Sequence, residues 1–144
     1  MDSRSSKITL LAALVAVAAT LAGAREKQVK KEPIQPTSPA SGAAMFKQYC
    51  SPCHGKSGKG DGPAASALKT PPADLTALSK KNNGKFPDER VASVLRFGTT
   101  AAAHGSSDMP VWGPAFRSVS GGDESIVTMR INNLVRYIKS LQVK

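Results

Sequence analysis

Aromatic side chains are scarce in this sequence, 5% of its 144 residues with a single Trp, and so is hydrophobic bulk of any kind suited to a large core. A chain of this length accommodates one domain, and a core built from roughly a hundred folded residues is thin. A large apolar prosthetic group would fill the deficit. Acidic residues are also few: 10 Asp and Glu stand against 20 Lys and Arg, a formal net charge of +10. Such a field attracts acidic proteins, anionic lipid or nucleic acid. The absence of aromatics interleaved with the basic residues argues against nucleic acid. No stretch alternates apolar and polar residues strongly enough to specify a strand, and no internal repeat is visible, which leaves an all-α class. No acid/base pair stands beside a nucleophile, so independent enzymatic turnover is not expected. Only two Cys and two His are present.

What is there begins with a leader. Arg4 and Lys7 precede an apolar run from Ile8 to Leu21, followed by the small residues Ala22-Gly23-Ala24. Residues 1–24 thus read as a secretory signal, because the run is shorter than the roughly 20 residues a bilayer span requires. Membrane contact is expected only if that segment stays uncleaved. Export to the periplasm or beyond places both cysteines in an oxidising compartment. Residues 25–40 are rich in Lys, Glu, Gln and Pro and read as a flexible tether, with Pro33, Pro36 and Pro39 favouring extended chain. The folded domain is expected over 41–144.

Within it, Ser41 is a plausible N-cap for a short helix through Tyr49, and a glycine-dense loop runs from Gly55 to Gly62. One helical turn fits between Pro63 and Leu68. A further helix is expected from about Pro87 to Phe97, stopped by Gly98. Residues 101–122 read as irregular because Pro110, Gly113, Pro114 and Gly121-Gly122 interrupt them. The clearest element is the last: Asp123 and Glu124 at a helix N-terminus, then Val127, Ile131, Leu134, Ile138 and Leu141 as an apolar stripe.

The chemistry concentrates in Cys50-Ser51-Pro52-Cys53-His54, a C-x-x-C-H pattern. Two thiols three positions apart can add to the two vinyl groups on one edge of a porphyrin, and the adjacent imidazole then reaches the iron. Competing readings are weaker. A thioredoxin-type disulfide calls for a sheet-rich scaffold, zinc for more ligands than His104 can add, and a structural disulfide for no histidine at all. One covalently bound haem c is therefore expected, with Cys50, Cys53 and His54 as cofactor-binding residues and His54 as an axial metal ligand. For the second ligand, Met109, in Asp108-Met109-Pro110, is favoured over His104 five residues earlier; Met45 and Met129 suit packing.

From Ser41 to Leu141 the chain resembles the class I monohaem cytochromes c. Gly42 and Phe46, four apart and ahead of Cys50, resemble that family's first-helix pair, and Leu134 and Tyr137 its last-helix pair. The resemblance implies a small cytochrome c-like fold in which the N- and C-terminal helices pack together around one haem. It also implies that Met109 lies in a Met-Pro ligand loop, and that Pro63, with Pro71 and Pro72 as rivals, offers its carbonyl to the proximal imidazole. Leu68, Leu75, Leu95 and Phe97 are expected in the haem pocket or core, and Arg96, Arg117 or a lysine near a propionate. His/Met ligation raises the reduction potential, and the implied function is one-electron transfer, iron cycling between ferric and ferrous states. Lys56, Lys59, Lys69, Lys80, Lys81 and Lys85 would form a basic patch for an acidic redox partner. Two alternatives stay open: a fixed haem subunit of a larger oxidoreductase complex, and a small-ligand sensor or weak peroxidase in which Met109 is displaceable.

Overall fold

The computed structural model describes residues 34–98 and 109–143. Among them every regular element is helical. The helix α1 (Gly42–Met45) passes through a π-helical turn, Phe46–Cys50, into α2 (Ser51–His54). Short 3-10 turns at Ala65–Ala67, Leu75–Ala77 and Lys80–Asn82 follow, then α3 (Asp88–Phe97), α4 (Trp112–Val119) and α5 (Glu124–Ser140). No helix among the described residues is long and apolar enough to cross a membrane.

Each end of the scaffold is capped by the residue type its backbone needs. Ser41 Oγ accepts from the Ala44 N–H at 3.1 Å, opening α1. Asp123 Oδ1 accepts from the N–H groups of Ser125 (2.8 Å) and Ile126 (3.3 Å), opening α5, and the Ser125 hydroxyl and these N–H bonds hold its carboxyl below the usual carboxylate range. The apolar stripe of α5 is buried as its periodicity predicts, with Val127, Ile131, Leu134 and Ile138 at most 2% exposed. Met45 and Phe46 are equally buried, and α1 lies against α5.

That crossing depends on Gly42. A Cβ there would stand 2.9 Å from Tyr137 Cβ and 2.9 Å from the Asn133 carbonyl carbon, with the Asn133 oxygen nearer still. Only a residue without a side chain lets the two backbones approach so closely. Phe46 then fills the angle beside the crossing, its ring 5.2 Å from that of Tyr137. The Gly42/Phe46 and Leu134/Tyr137 pairs meet as the resemblance implies.

Two expectations need correcting. Residues 101–122 are not irregular throughout, since α4 occupies Trp112–Val119. Gly113 and Pro114 fall in its first turn, where the N–H that proline lacks has no intrahelical partner to lose, so apparent breakers sit at a helix start. Its inward face carries Trp112 and Phe116, which join Tyr49 in an aromatic cluster with ring separations of 5.4–5.7 Å. Second, the folded domain starts before Ser41. Ile34 packs against the core, and Tyr49 Oη donates to the Gln35 carbonyl at 2.6 Å. Asn133 Nδ2 donates to Pro39 O at 2.7 Å, and the buried Arg130 donates to Thr37 O at 2.8 Å and to Ser120 Oγ at 3.0 Å. Backbone carbonyls, joined by the Thr37 hydroxyl, which lies 3.0 Å from Tyr49 Oη and accepts from Arg130 Nη1 at 3.3 Å, fasten this strap, and they offset the cost of burying the guanidinium. The expected signal segment, and the expected tether up to residue 33, lie outside the described residues.

Candidate functional site

Cys50 closes the π-helical turn, and Cys53 and His54 follow on α2. In the π register the Ser51 N–H reaches the Phe46 carbonyl, five residues back, and the Ser51 hydroxyl bonds the same oxygen at 3.2 Å. A turn widened by one residue rotates the next stretch of chain about the helix axis. Phe46 therefore stays in the core while Cys53 and His54, half-buried, are turned off that face. Both cysteines are free. Cys50 is 6% exposed, and burial, reinforced by the neighbouring Cys53, pushes its thiol up to about 12. Among the described residues no group of three or more His, Cys, Asp and Glu stands where it could hold a bare metal ion.

The glycine-dense loop folds back beneath α2 and satisfies its C-terminal carbonyls in order: Ala64 N–H to Pro52 O at 2.9 Å, Gly62 N–H to Cys53 O at 3.1 Å, and Gly60 N–H to His54 O at 2.8 Å. His54 Nδ1 lies 2.9 Å from the carbonyl oxygen of Ala73. Since a carbonyl only accepts, Nδ1 carries the proton and Nε2 keeps its lone pair. Burial favours the neutral ring and holds the His54 pKa below its ordinary value, against the opposing pull of the Ala73 bond. The acceptor is thus Ala73, not Pro63, Pro71 or Pro72; the proline pair delivers the next carbonyl in the chain. Sequence reasoning missed Ala73 because a main-chain acceptor leaves no side-chain signature.

The segment bearing Ala73 is pinned from three sides. Leu75 N–H donates to Gly58 O at 2.7 Å, Gln142 Nε2 to Leu75 O at 2.7 Å, and Val143 N–H to Thr76 O at 3.0 Å. Asp74 accepts from Thr76 Oγ1 at 2.6 Å, and this bond, with the Thr76 N–H and the nearby Lys81 and Lys59, lowers its pKa. Gln142, close to the C-terminus, is a second residue that sequence reasoning did not single out.

Met109 is half-buried and packed against the core ahead of α4. Next to it Val111 is 43% exposed, and Phe97, expected in the haem pocket or core, is 67% exposed and so outside the polypeptide core. Phe97 follows the inward-facing Leu95 by two residues on a helix, which places it away from the buried side. Leu95 is buried and Leu75 partly so. Arg96 and Arg117, considered for a propionate, both pair with Glu124. His104 lies outside the described residues.

The donor chemistry fits a haem: two free thiols three positions apart in the chain, an imidazole with one nitrogen oriented by a carbonyl, and a thioether elsewhere in the domain flanked by the exposed Val111. An all-helical domain built around one such motif is that of a monohaem c-type cytochrome. Residues 37–138 match the family described as cytochrome c oxidase, cbb3-type, subunit III, and the chain belongs to this family. No curated protein and no solved structure matches it. Haem-based electron transfer with redox partner proteins is the function this membership carries.

Proposed function

We propose that this chain is an exported one-electron carrier whose single haem is bonded through Cys50 and Cys53 and ligated by His54 and Met109. When bound, haem supplies an iron couple that changes by one electron. The chain's part is to hold and orient it. The observation that carries the reading is the His54–Ala73 hydrogen bond: it fixes the ring and tautomer so that Nε2 is the free donor, and adds electron density to it. Met109 Sδ is the soft donor that favours the reduced state, and Pro110 restricts the backbone on its C-terminal side. With His54 and Met109 both holding the iron, the chain would exclude outside ligands and little rearrangement would accompany electron transfer. The exposed lysines at 56, 59, 80, 81 and 85 supply a positive surface for an acidic partner.

The visible spectrum of the haem-loaded protein tests the ligand set. Met109→Ala is expected to abolish the weak long-wavelength iron-to-methionine band, and His104→Ala to leave it intact. A wild type without that band, whose spectrum changes in His104→Ala and not in Met109→Ala, would transfer the sixth position to that imidazole and lower the expected potential.

The family description favours a second reading, a haem subunit fixed in a larger oxidoreductase. Purification from native cells under mild conditions distinguishes the two. A free carrier elutes as a monomer of the mature chain, whereas a fixed subunit comes away with stable partner polypeptides.

A further inference from the structure

Gly98 follows α3 and the described residues resume at Met109, and the residues flanking these two points are brought together. Gly113, at the start of α4, sits against the carbonyl of Arg96: an added Cβ would overlap the oxygen and stand 3.2 Å from the carbon. A Cβ on Gly98 would stand 2.9 Å from Val111 Cγ2. Over this junction Glu124, the first residue of α5, receives two arginines. Arg96 Nη1 of α3 lies 3.3 Å from its Oε2, and Arg117 of α4 pairs with its Oε1. Arg96 Nη2 also donates to Thr128 Oγ1 at 2.8 Å. One carboxylate therefore ties three helices together where the Met109 segment is rooted.

The geometry points to a clasp, Gly113 seated on the Arg96 carbonyl and fastened by Glu124, that positions Met109 on the iron. The inference rests on the ligand reading above, and Glu124 is a positioning residue that touches neither metal nor haem. A segment rooted at two fixed, adjacent points loses little further entropy when its methionine binds. Freeing one root raises the population in which Met109 is detached. Any outside ligand that competes for the same position then binds more tightly by the same factor. The ion pairs are half-exposed, with side-chain exposures of 29% for Arg96, 47% for Glu124 and 59% for Arg117. Their effect is accordingly modest and salt-sensitive, while the backbone contact at Gly113 has no means of yielding.

Imidazole titration of the ferric, haem-loaded protein at pH 8, followed by loss of the methionine band, tests the clasp. Glu124→Gln is expected to bind imidazole about three-fold more tightly than wild type, and Gly113→Ala about ten-fold or more tightly. Imidazole is largely uncharged at this pH. Molar salt should therefore tighten its binding to the wild type by screening the pairs, and leave Glu124→Gln unchanged. Glu124→Gln indistinguishable from wild type at low salt overturns the clasp, whether or not Gly113→Ala folds. Met109→Ala separates the two ideas. A band that survives in it overturns the ligand reading and the clasp with it. A band lost in Met109→Ala, with wild-type imidazole affinity in Glu124→Gln, overturns the clasp alone.

Discussion

Cells exporting the Cys50→Ser/Cys53→Ser double variant should yield a chain with no covalently bound haem. The wild type should carry one haem per chain, read as a mass increment and as pigment that stays with the protein in acidified organic solvent. The expected change is from full occupancy to none. Serine keeps the size of the side chain but replaces sulfur with an oxygen nucleophile too weak to add to a vinyl group, so only the bond-forming chemistry is removed. The fold supplies a reason for the size of the effect. His54 is only half-buried and its loop is held by main-chain hydrogen bonds, so ligation alone is exposed to exchange with solvent. Two thioethers would instead keep the imidazole's partner tethered at an effective concentration on the order of millimolar or above. The single variants, each retaining one thiol, should keep the haem attached with altered spectrum and lower yield. Covalent haem in the double variant would remove the central assignment, and a wild type free of haem would do so more directly.

Much of this architecture can be read from side chains, and the parts that cannot are those made by backbone. The stripe from Val127 to Ile138 declares α5 because burial selects apolar residues at every third or fourth position. Gly98 ends α3 with its N–H on Val94 O at 2.9 Å, as a stop residue should. Gly42 and Phe46 are legible because the crossing demands one residue with no side chain and one with a large one. By contrast, Arg130 looks like a surface charge in sequence, although it is 3% exposed, because its partners are the Thr37 carbonyl and the Ser120 hydroxyl. The strap from Ile34 to Ala40 is hidden for the same reason: Pro-rich, polar composition describes how little it buries and not which carbonyls it offers. α4 is hidden by Gly113 and Pro114, whose meaning reverses between a helix interior and its first turn. The π-helical turn, which sets the facing of Cys53 and His54, has no local sequence code at all. The acceptor for His54 is a carbonyl that any residue at position 73 would carry.

Gly42→Val should destabilise the haem-loaded protein by about 3 kcal/mol in chemical denaturation while leaving haem attachment unaffected. Two effects oppose each other at this site. Replacing a helical glycine gains up to about 1 kcal/mol of backbone entropy with alanine, and somewhat less with valine, which loses rotamers in a helix. Against this, the new Cβ meets the Asn133 main chain and Tyr137 Cβ, neither of which is the yielding end of a flexible side chain. Relief requires α1 to move off α5, which opens the contact between Phe46 and Tyr137 and uncovers Leu134, now 0% exposed. Steric cost therefore exceeds the entropic gain, and Gly42→Ala should fall on the same side with a smaller value. Attachment persists because the thiols, eight and eleven positions further on, are presented by the π turn and α2. A Gly42→Val midpoint equal to wild type would mean that the terminal helices are not in the close contact described, and a gain in stability with Gly42→Ala would show helix propensity outweighing the crossing.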